Sequence, residues 1–285
     1  MKMDNNYTYN KDDYKDLSLR DAQMIMADIL NDVHELCEKH GIKYFLDAGT
    51  LIGAVRHKGF IPWDDDVDIG MPREEYNKFL EIAKKELPKH LFLQTFETDE
   101  YYNVYPTPCK VRYNNTMFLE NGAEENHKMH NGIFIDVFPY DSLPKHRYTY
   151  KIQRTLSYNI LKSFKRLRDI PEHLSFKNKI TFSFYRLVVK MFPNKRRLKF
   201  FDCLVKWNDP KSEYMGYGVD TYWSEYVYKK SDYFDLAKLE FEGKYFYAPK
   251  NYDAILTELY GDYMTMPKVE DRVWHAKEMK KLKGI

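Results

Sequence analysis

Four aspartates occupy five positions, Asp64, Asp65, Asp66 and Asp68, inside the stretch FLDAGTLIGAVRHKGFIPWDDDVDIGM from Phe45 to Met71. Like charges this close repel one another unless a cation or hydrogen-bond donors compensate them. From Asp66 to Gly70 acidic and apolar residues alternate, which is strand spacing. Asp66 and Asp68 then project from one side, with Val67 and Ile69 toward a core. A further carboxylate, Asp136, interrupts the apolar run GIFIDVFPYD, where an uncompensated charge is costly to bury. Asp66, Asp68 and Asp136 together make a hard oxygen set. Mg²⁺, or Mn²⁺ in its place, takes such a set along with waters and substrate phosphates. The small pair Gly49-Thr50 predicts a turn whose backbone N–H groups can meet a phosphate. Arg56 and Lys58 can neutralise phosphoryl charge, Arg through its planar fork. The chemistry implied is metal-assisted transfer at phosphorus, with a carboxylate available as general base on an acceptor hydroxyl. Asp64 and Asp65 are assigned supporting hydrogen bonds rather than ligation. His57 and Trp63 read as loop residues.

Elements must bring these groups together. Residues 1–16 read as a frayed polar arm. Ser18 and Asp21 form a capping-box pattern, and Ala22, Met26, Ile29, Val33 and Leu36 recur on one helix face before a glycine cap at Gly41. Ile42 to Ala48 predicts a buried strand broken at Gly49-Thr50, with a short helix over 51–57. A strand over 66–70 leads to a helix over 73–87, stopped by Pro88. Further strands are expected over 91–96, 109–113, 116–120 and 132–138, with a tight turn at Asn114-Asn115 and Pro139 ending the last strand. Beyond Tyr148 the text is helical and basic. Pro171 and Pro193 divide it into three helices, the middle one over 176–192. LEFEGKYFYAP predicts a hairpin around Glu242-Gly243, and residues 251–260 a short helix capped by Gly261.

At 285 residues, 44% hydrophobic and 31% charged, the chain can bury a sizeable core and does not have the composition of a disordered protein. Three scattered cysteines, Cys37, Cys109 and Cys203, without a CxxC pair, argue against a thiolate zinc site and suit a reducing compartment. The polar, acidic start and the lack of a long apolar run lead to an expected cytoplasmic location. The net charge is only +2, yet Lys145 to Lys206 holds 17 Lys and Arg against 3 Asp and Glu. That asymmetry predicts a surface for anions, either an acceptor or the inner face of a membrane touched peripherally. No nucleic-acid-binding module is recognised there, so no nucleic-acid partner is expected. The expected organisation is a catalytic core over 1–144, a basic helical segment over 145–210 and a C-terminal part over 211–285 that completes the core.

A Gly-Thr pair, a spacer, then Asp-hydrophobic-Asp resembles the nucleotidyltransferase superfamily of the DNA polymerase β type, although the spacer between Thr50 and Asp66 is longer than in its commonest members. More specifically, the chain resembles the LicD family, related to the fukutin-type transferases. The matching motifs are LDAGTLIGAVRHKGFIPWDDDVDIGM (46–71), CKVRYNNT (109–116), GIFIDVFPYD (132–141) and YGDYMTMPKVEDR (260–272). The resemblance implies an α/β (α+β) nucleotidyltransferase-like core, a mixed β-sheet flanked by helices, here with a basic helical insertion. It also implies transfer of phosphocholine from CDP-choline to a hydroxyl of a cell-surface glycan precursor, of teichoic acid or lipopolysaccharide type, releasing CMP. By position it gives Asp66, Asp68 and Asp136 the metal and catalytic roles and Gly49 and Thr50 the donor phosphate. Arg56, Lys110 and Arg112 are further donor-phosphate candidates. Fukutin-type relatives carry a cysteine zinc loop that this chain lacks, so the bacterial branch fits better.

Three other functions suit the same residues. One is transfer of another CDP-linked alcohol phosphate, of ethanolamine, glycerol or ribitol. Another is true nucleotidyl transfer, which releases pyrophosphate. The third is a non-catalytic metal- or glycan-binding module; a complete set of three metal-type aspartates argues against it.

Overall fold

In the computed structural model, a short strand, β1 (Tyr14–Asp16), leads into the first long helix, α1 (Leu19–His40). The structure describes residues 11–99, 101–102, 107–121, 129–165, 180, 183, 187, 191–192, 194–221 and 226–284. Ser18 accepts the Asp21 N–H while Asp21 accepts the Ser18 N–H, closing the predicted capping box. Gly41, at φ +60°, ends the helix in the left-handed conformation that glycine adopts freely. Met26, Ile29, Leu30 and Val33 are fully buried. Each such side chain contributes about 1.5–3 kcal/mol relative to remaining exposed. The arm expected to fray instead contributes β1, because residues 14–16 find a strand partner near the far end of the chain.

The chain forms two units. The first comprises Met1–Tyr102, Cys109–Phe138 and Lys230–Ile285, and the second Asn103–Pro108 and Pro139–Lys229. In the first unit the chain continues through β2 (Phe45–Leu46), α2 (Ala48–His57), β3 (Asp68–Pro72), α3 (Arg73–Glu86), β4 (Leu91–Gln94), β5 (Lys110–Tyr113), β6 (Thr116–Glu120) and β7 (Phe134–Ser142), whose last four residues belong to the second unit. The central sheet runs in the order β2-β3-β7-β5-β4. The architecture is the α+β, nucleotidyltransferase-like arrangement of a mixed sheet with helices that the sequence implies.

Several local expectations change. The strand expected over 66–70 is β3 over Asp68–Pro72, so Asp66 lies in the loop ahead of it, where strand alternation does not set its direction. The strand before Gly49 is only two residues long, because Asp47 caps α2 and draws Ala48, Gly49 and Thr50 into the helix. The turn at Asn114-Asn115 is present, with Asn115 at φ +60°, but it joins strands of different sheets rather than a hairpin. Pro139 does not end β7. Residues 134–136 pair with β5 and residues 140–142 with the next strand, so proline sits at the changeover, where its missing N–H costs no ladder bond.

In the second unit α4 (Arg147–Lys165), α5 (Asn194–Val205), β8 (Tyr214–Tyr217) and β9 (Tyr228–Lys229) follow. The helix expected over 176–192 falls on residues most of which lie outside those described. Gln153 of α4 donates to the Leu204 carbonyl at 2.8 Å and to Asn208, tying α4 to the end of α5.

The chain then returns to the first unit with α6 (Lys230–Phe234), β10 (Leu236–Phe241), β11 (Lys244–Pro249), α7 (Tyr252–Tyr260) and β12 (Ala276–Leu282). Glu242 (φ +50°) and Gly243 (φ +74°) make the two-residue left-handed turn of the predicted β10–β11 hairpin. The hairpin reaches back to the loop after α2: the Glu242 amide donates to the Lys58 carbonyl and its carboxylate accepts the Phe60 N–H at 3.1 Å. β12 lies between β1 and β6 in a second sheet. Among the described residues no helix is long and apolar enough to cross a membrane.

Candidate active site

The aspartate loop is pinned from behind. Asp65 is fully buried and accepts the backbone N–H groups of His275 (2.8 Å) and Ala276 (2.6 Å), with the His275 Nδ1 at 3.0 Å. Gln23 of α1 donates to the Asp64 carbonyl at 2.9 Å. The Asp68 N–H donates to the Thr50 hydroxyl at 2.8 Å, and the Asp68 carbonyl accepts the Asp47 N–H at 3.0 Å. Helix α2 and strand β3 are thus locked through Asp47, Thr50 and Asp68. The Asp136 N–H donates to the Val67 carbonyl at 2.8 Å, which sets β7 beside the loop.

Charge accumulates at this junction. Burial, then repulsion by Asp66, pushes the Asp64 carboxyl up to about 8. Burial and Asp136 raise Asp66. Burial, then Asp66 and Asp136, holds Asp68 well above the usual carboxylate range. Two cationic side chains approach these carboxylates. The β5–β7 register sets Lys110 opposite Asp136, and its Nζ lies 2.9 Å from Oδ1 and 3.1 Å from Oδ2. His275, raised to about 9 chiefly by its hydrogen bond to Asp65, is cationic at neutral pH, with its Nδ1 3.8 Å from Asp66 Oδ2.

Among the described residues no three His, Cys, Asp or Glu side chains stand as a closed metal cage. The donor chemistry nonetheless suits Mg²⁺. That ion prefers one or two carboxylates completed by water and substrate phosphate to an all-protein cage, and the mutual repulsion of Asp64, Asp66 and Asp68 is what a cation relieves.

The remaining sequence candidates divide. Gly49 lies in the first turn of α2, where amides have no carbonyl one turn back to bond and face anions favourably. A Cβ on Gly49 would stand 3.1 Å from Asp64 Oδ2, so the glycine makes room at the carboxylates. Thr50 is buried, and its hydroxyl positions Asp68. Lys110 is buried on Asp136 and packs over the Phe134 ring. Arg56 donates to the Tyr263 carbonyl at 2.7 Å and to His57, while burial lowers its pKa. Arg112 is buried against Gln94 and the Gly132 carbonyl, in a network with Asp99 and His130. The structure therefore gathers Asp66, Asp68, Asp136, Gly49, Thr50 and Lys110 at one junction. It ties Arg56 and Arg112 to backbone carbonyls.

Sequence reasoning passed over Asp47, Gln23 and His275. Asp47 had a legible signal as a cap residue ahead of a helix. Gln23 and His275 had none, since each acts on a loop 41 or more residues away in the chain. Trp63 carries the Arg272 guanidinium 4.0 Å above its ring, joining the first motif to the last.

A mixed sheet with an acidic junction at the start of β3 and an N-terminal helix turn beside it defines a nucleotidyltransferase-like phosphotransferase. A family model described as LicD/FKTN/FKRP, nucleotidyltransferase domain, matches residues 41–195. The lipopolysaccharide cholinephosphotransferase LicD of Haemophilus influenzae is 31% identical over 281 residues, 92% of this chain and 97% of that protein. The human ribitol 5-phosphate transferase FKRP is 50% identical over 38 residues, 13% of this chain and 8% of that protein. The chain belongs to the LicD/FKTN/FKRP family and is a phosphotransferase enzyme.

Proposed function

We propose that this enzyme transfers phosphocholine from CDP-choline to a hydroxyl of a cell-surface glycan precursor, of lipopolysaccharide or teichoic acid type, and releases CMP. The observation that carries the reading is the crowding of Asp64, Asp66, Asp68 and Asp136 beside the first turn of α2, with Lys110 on Asp136 and His275 near Asp66. Support for choline comes from the relative named a cholinephosphotransferase, which aligns over nearly the whole chain.

Asp66 and Asp68, with Asp136 beside them, would hold Mg²⁺ or Mn²⁺. Bound there, the ion would neutralise the donor diphosphate and polarise its phosphoryl oxygens. The chain's own groups do the rest. The α2 amides at Gly49 and Thr50 take donor phosphate oxygens. Lys110 offsets charge next to Asp136. Arg56 and Arg112 act on the donor side through the segments they hold. The acceptor oxygen bonds to the phosphorus of phosphocholine as that phosphorus loses its bond to the bridging oxygen. CMP departs with the electron pair, and a carboxylate of the set takes the acceptor proton. The basic segment 145–206 brings the enzyme to the cytoplasmic face of the membrane, where a lipid-linked acceptor is presented.

The test is product analysis with purified protein, CDP-choline, Mg²⁺ and glycan acceptors. CMP release with choline phosphate on the glycan is expected; neither product across acceptors overturns the reading. Ribitol phosphate is the second reading, favoured by the relative named a ribitol 5-phosphate transferase. A donor panel scored by thermal shift separates the two, because a ligand that binds only the native state raises apparent stability. Pyrophosphate released from a nucleoside triphosphate would instead mark a true nucleotidyltransferase.

A further inference from the structure

The second unit contains a cavity that the transfer chemistry does not use. It measures about 1090 Å³ and lies along one face of α4. Arg147, Lys151, Arg154 and Tyr158 follow one another at helical spacing (i, i+4, i+7, i+11), and all four line it. Lys145 adds a fourth cation just ahead of the helix, and Tyr150 and Tyr214 add aromatic wall. One carboxylate, Asp209, shares the lining, and its Oδ1 already accepts the Lys211 N–H at 2.9 Å.

Arg154 makes this more than a basic surface. It is 4% exposed, and its Nη1 donates to the carbonyls of Tyr217 (3.0 Å) and Gly218 (3.1 Å). Its Nε is buried with no hydrogen-bond partner among the described residues, and none of those residues places a carboxylate within ion-pair distance of it. A guanidinium stays charged even when buried, and a buried charge without an anion is costly. The burial of Arg154 lowers its pKa, and the carbonyl oxygens of Tyr217 and Gly218, the hydroxyl of Tyr150 and the more distant charges of Asp141 and Asp220 offset that in part. Where Arg154 lines the cavity beside Arg147 and Lys151, an anion with several acceptor oxygens suits the three cations, and phosphate fits the fork of arginine best. A single phosphate does not fill the space, which is at the upper end of the roughly 300–1,000 Å³ of small-molecule sites. The tyrosines offer amphipathic faces to the rest of such a ligand.

We propose that this cavity is a binding site for a phosphorylated saccharide, with the phosphate on Arg154, Lys151 and Arg147 and the sugar against Tyr150, Tyr158 and Tyr214. The site shares no residue with the carboxylate junction, and the proposal does not depend on which alcohol phosphate the enzyme moves.

Calorimetry on the full chain in EDTA tests it, since the carboxylate junction then lacks its cation. The probes are inorganic phosphate, glucose 1-phosphate and vesicles of anionic phospholipid. Glucose 1-phosphate should bind at least about tenfold more tightly than inorganic phosphate. Arg154→Gln should weaken it by about tenfold or more, the worth of a charged hydrogen bond. Because Arg154 is buried and its variant could unfold, the exposed double variant Arg147→Gln/Lys151→Gln is the second arm, with an expected loss of similar size. Asp68→Asn should leave this binding unchanged. The proposal is overturned if glucose 1-phosphate does not bind, if the double variant binds it as well as the native chain, or if only the vesicles bind.

Discussion

The acids of the first unit and the cations of the second are organised in opposite ways. Asp64, Asp65, Asp66 and Asp68 are contiguous in sequence, yet what holds them is remote: α1 through Gln23, α2 through Thr50, and the strand entry at His275 and Ala276. The cations of α4 that line the cavity need only the period of one helix to share a face, with Arg154 drawn inward by the carbonyls of Tyr217 and Gly218. Like charges can be crowded where backbone amides from several elements fix them. Where a single helix supplies the charges, they remain spread along a cavity wall. The groups that anchor the acidic junction should therefore be intolerant of substitution, and the basic face tolerant of it in stability though not in binding.

The largest effects should come from the acids themselves. Asp66→Asn and Asp68→Asn are each expected to lower turnover by about 10³-fold or more, the several kcal/mol a bound cation contributes at about 1.36 kcal/mol per tenfold. Circular dichroism should remain native, and a variant that keeps its rate would remove its carboxylate from the cation site. Next, Asp65→Ala should cost about 2–4 kcal/mol in urea unfolding, because two amides lose a buried charged acceptor. A loss under about 0.5 kcal/mol would mean that the remote anchoring does not hold the loop.

Gly53→Ala should cost about 1–3 kcal/mol, since its Cβ would meet the backbone oxygen of Gly59 at 2.5 Å and a backbone atom cannot step aside cheaply. By contrast, Arg147→Gln/Lys151→Gln should stay within about 0.5 kcal/mol of the native chain, as exposed substitutions usually do. A larger loss would show that the basic face carries stability after all.

A further effect is one of pH. His275 is raised from 6.5 to about 9 in the folded chain. Its contribution is present in full below pH 6.5 and is lost as pH rises through about 9. The Asp64 shift to about 8 has the same sign: folding favours its protonated form, so metal-free stability also falls as pH rises from about 4 toward 8. Melting temperature should therefore decline from pH 6 to pH 9 without metal, and His275→Gln should flatten the upper part of that decline. An unchanged slope in the variant would sever His275 from Asp65.

Legibility followed the range of the interaction. Ser18 and Asp21, the 22-26-29-33-36 face of α1, Gly41 and the Glu242-Gly243 hairpin could be read because cap, period and turn are set within a few residues. Asp66 and Asp68 could be picked out as a pair for the same reason, although regular strand begins only at Asp68, so tertiary bonds rather than pleat alternation place Asp66. Gly49-Thr50 was read as a strand-breaking turn, whereas an Asp47 cap made it the first turn of a helix. Pro139 was read as a stop because nothing local shows that β7 changes partners at that residue.

By itself the sequence determined the amphipathic framework, the crowding of carboxylates ahead of β3 and the basic face of α4, all consequences of composition and short-range period. Tertiary structure alone decided which acids remain available. Asp65 turns inward because His275 and Ala276, 210 residues later, offer it two amides. Asp136 meets Lys110 because antiparallel register sets them opposite one another. Such choices depend on which distant backbone groups arrive unpaired, and a buried N–H must find its acceptor wherever the chain has placed one.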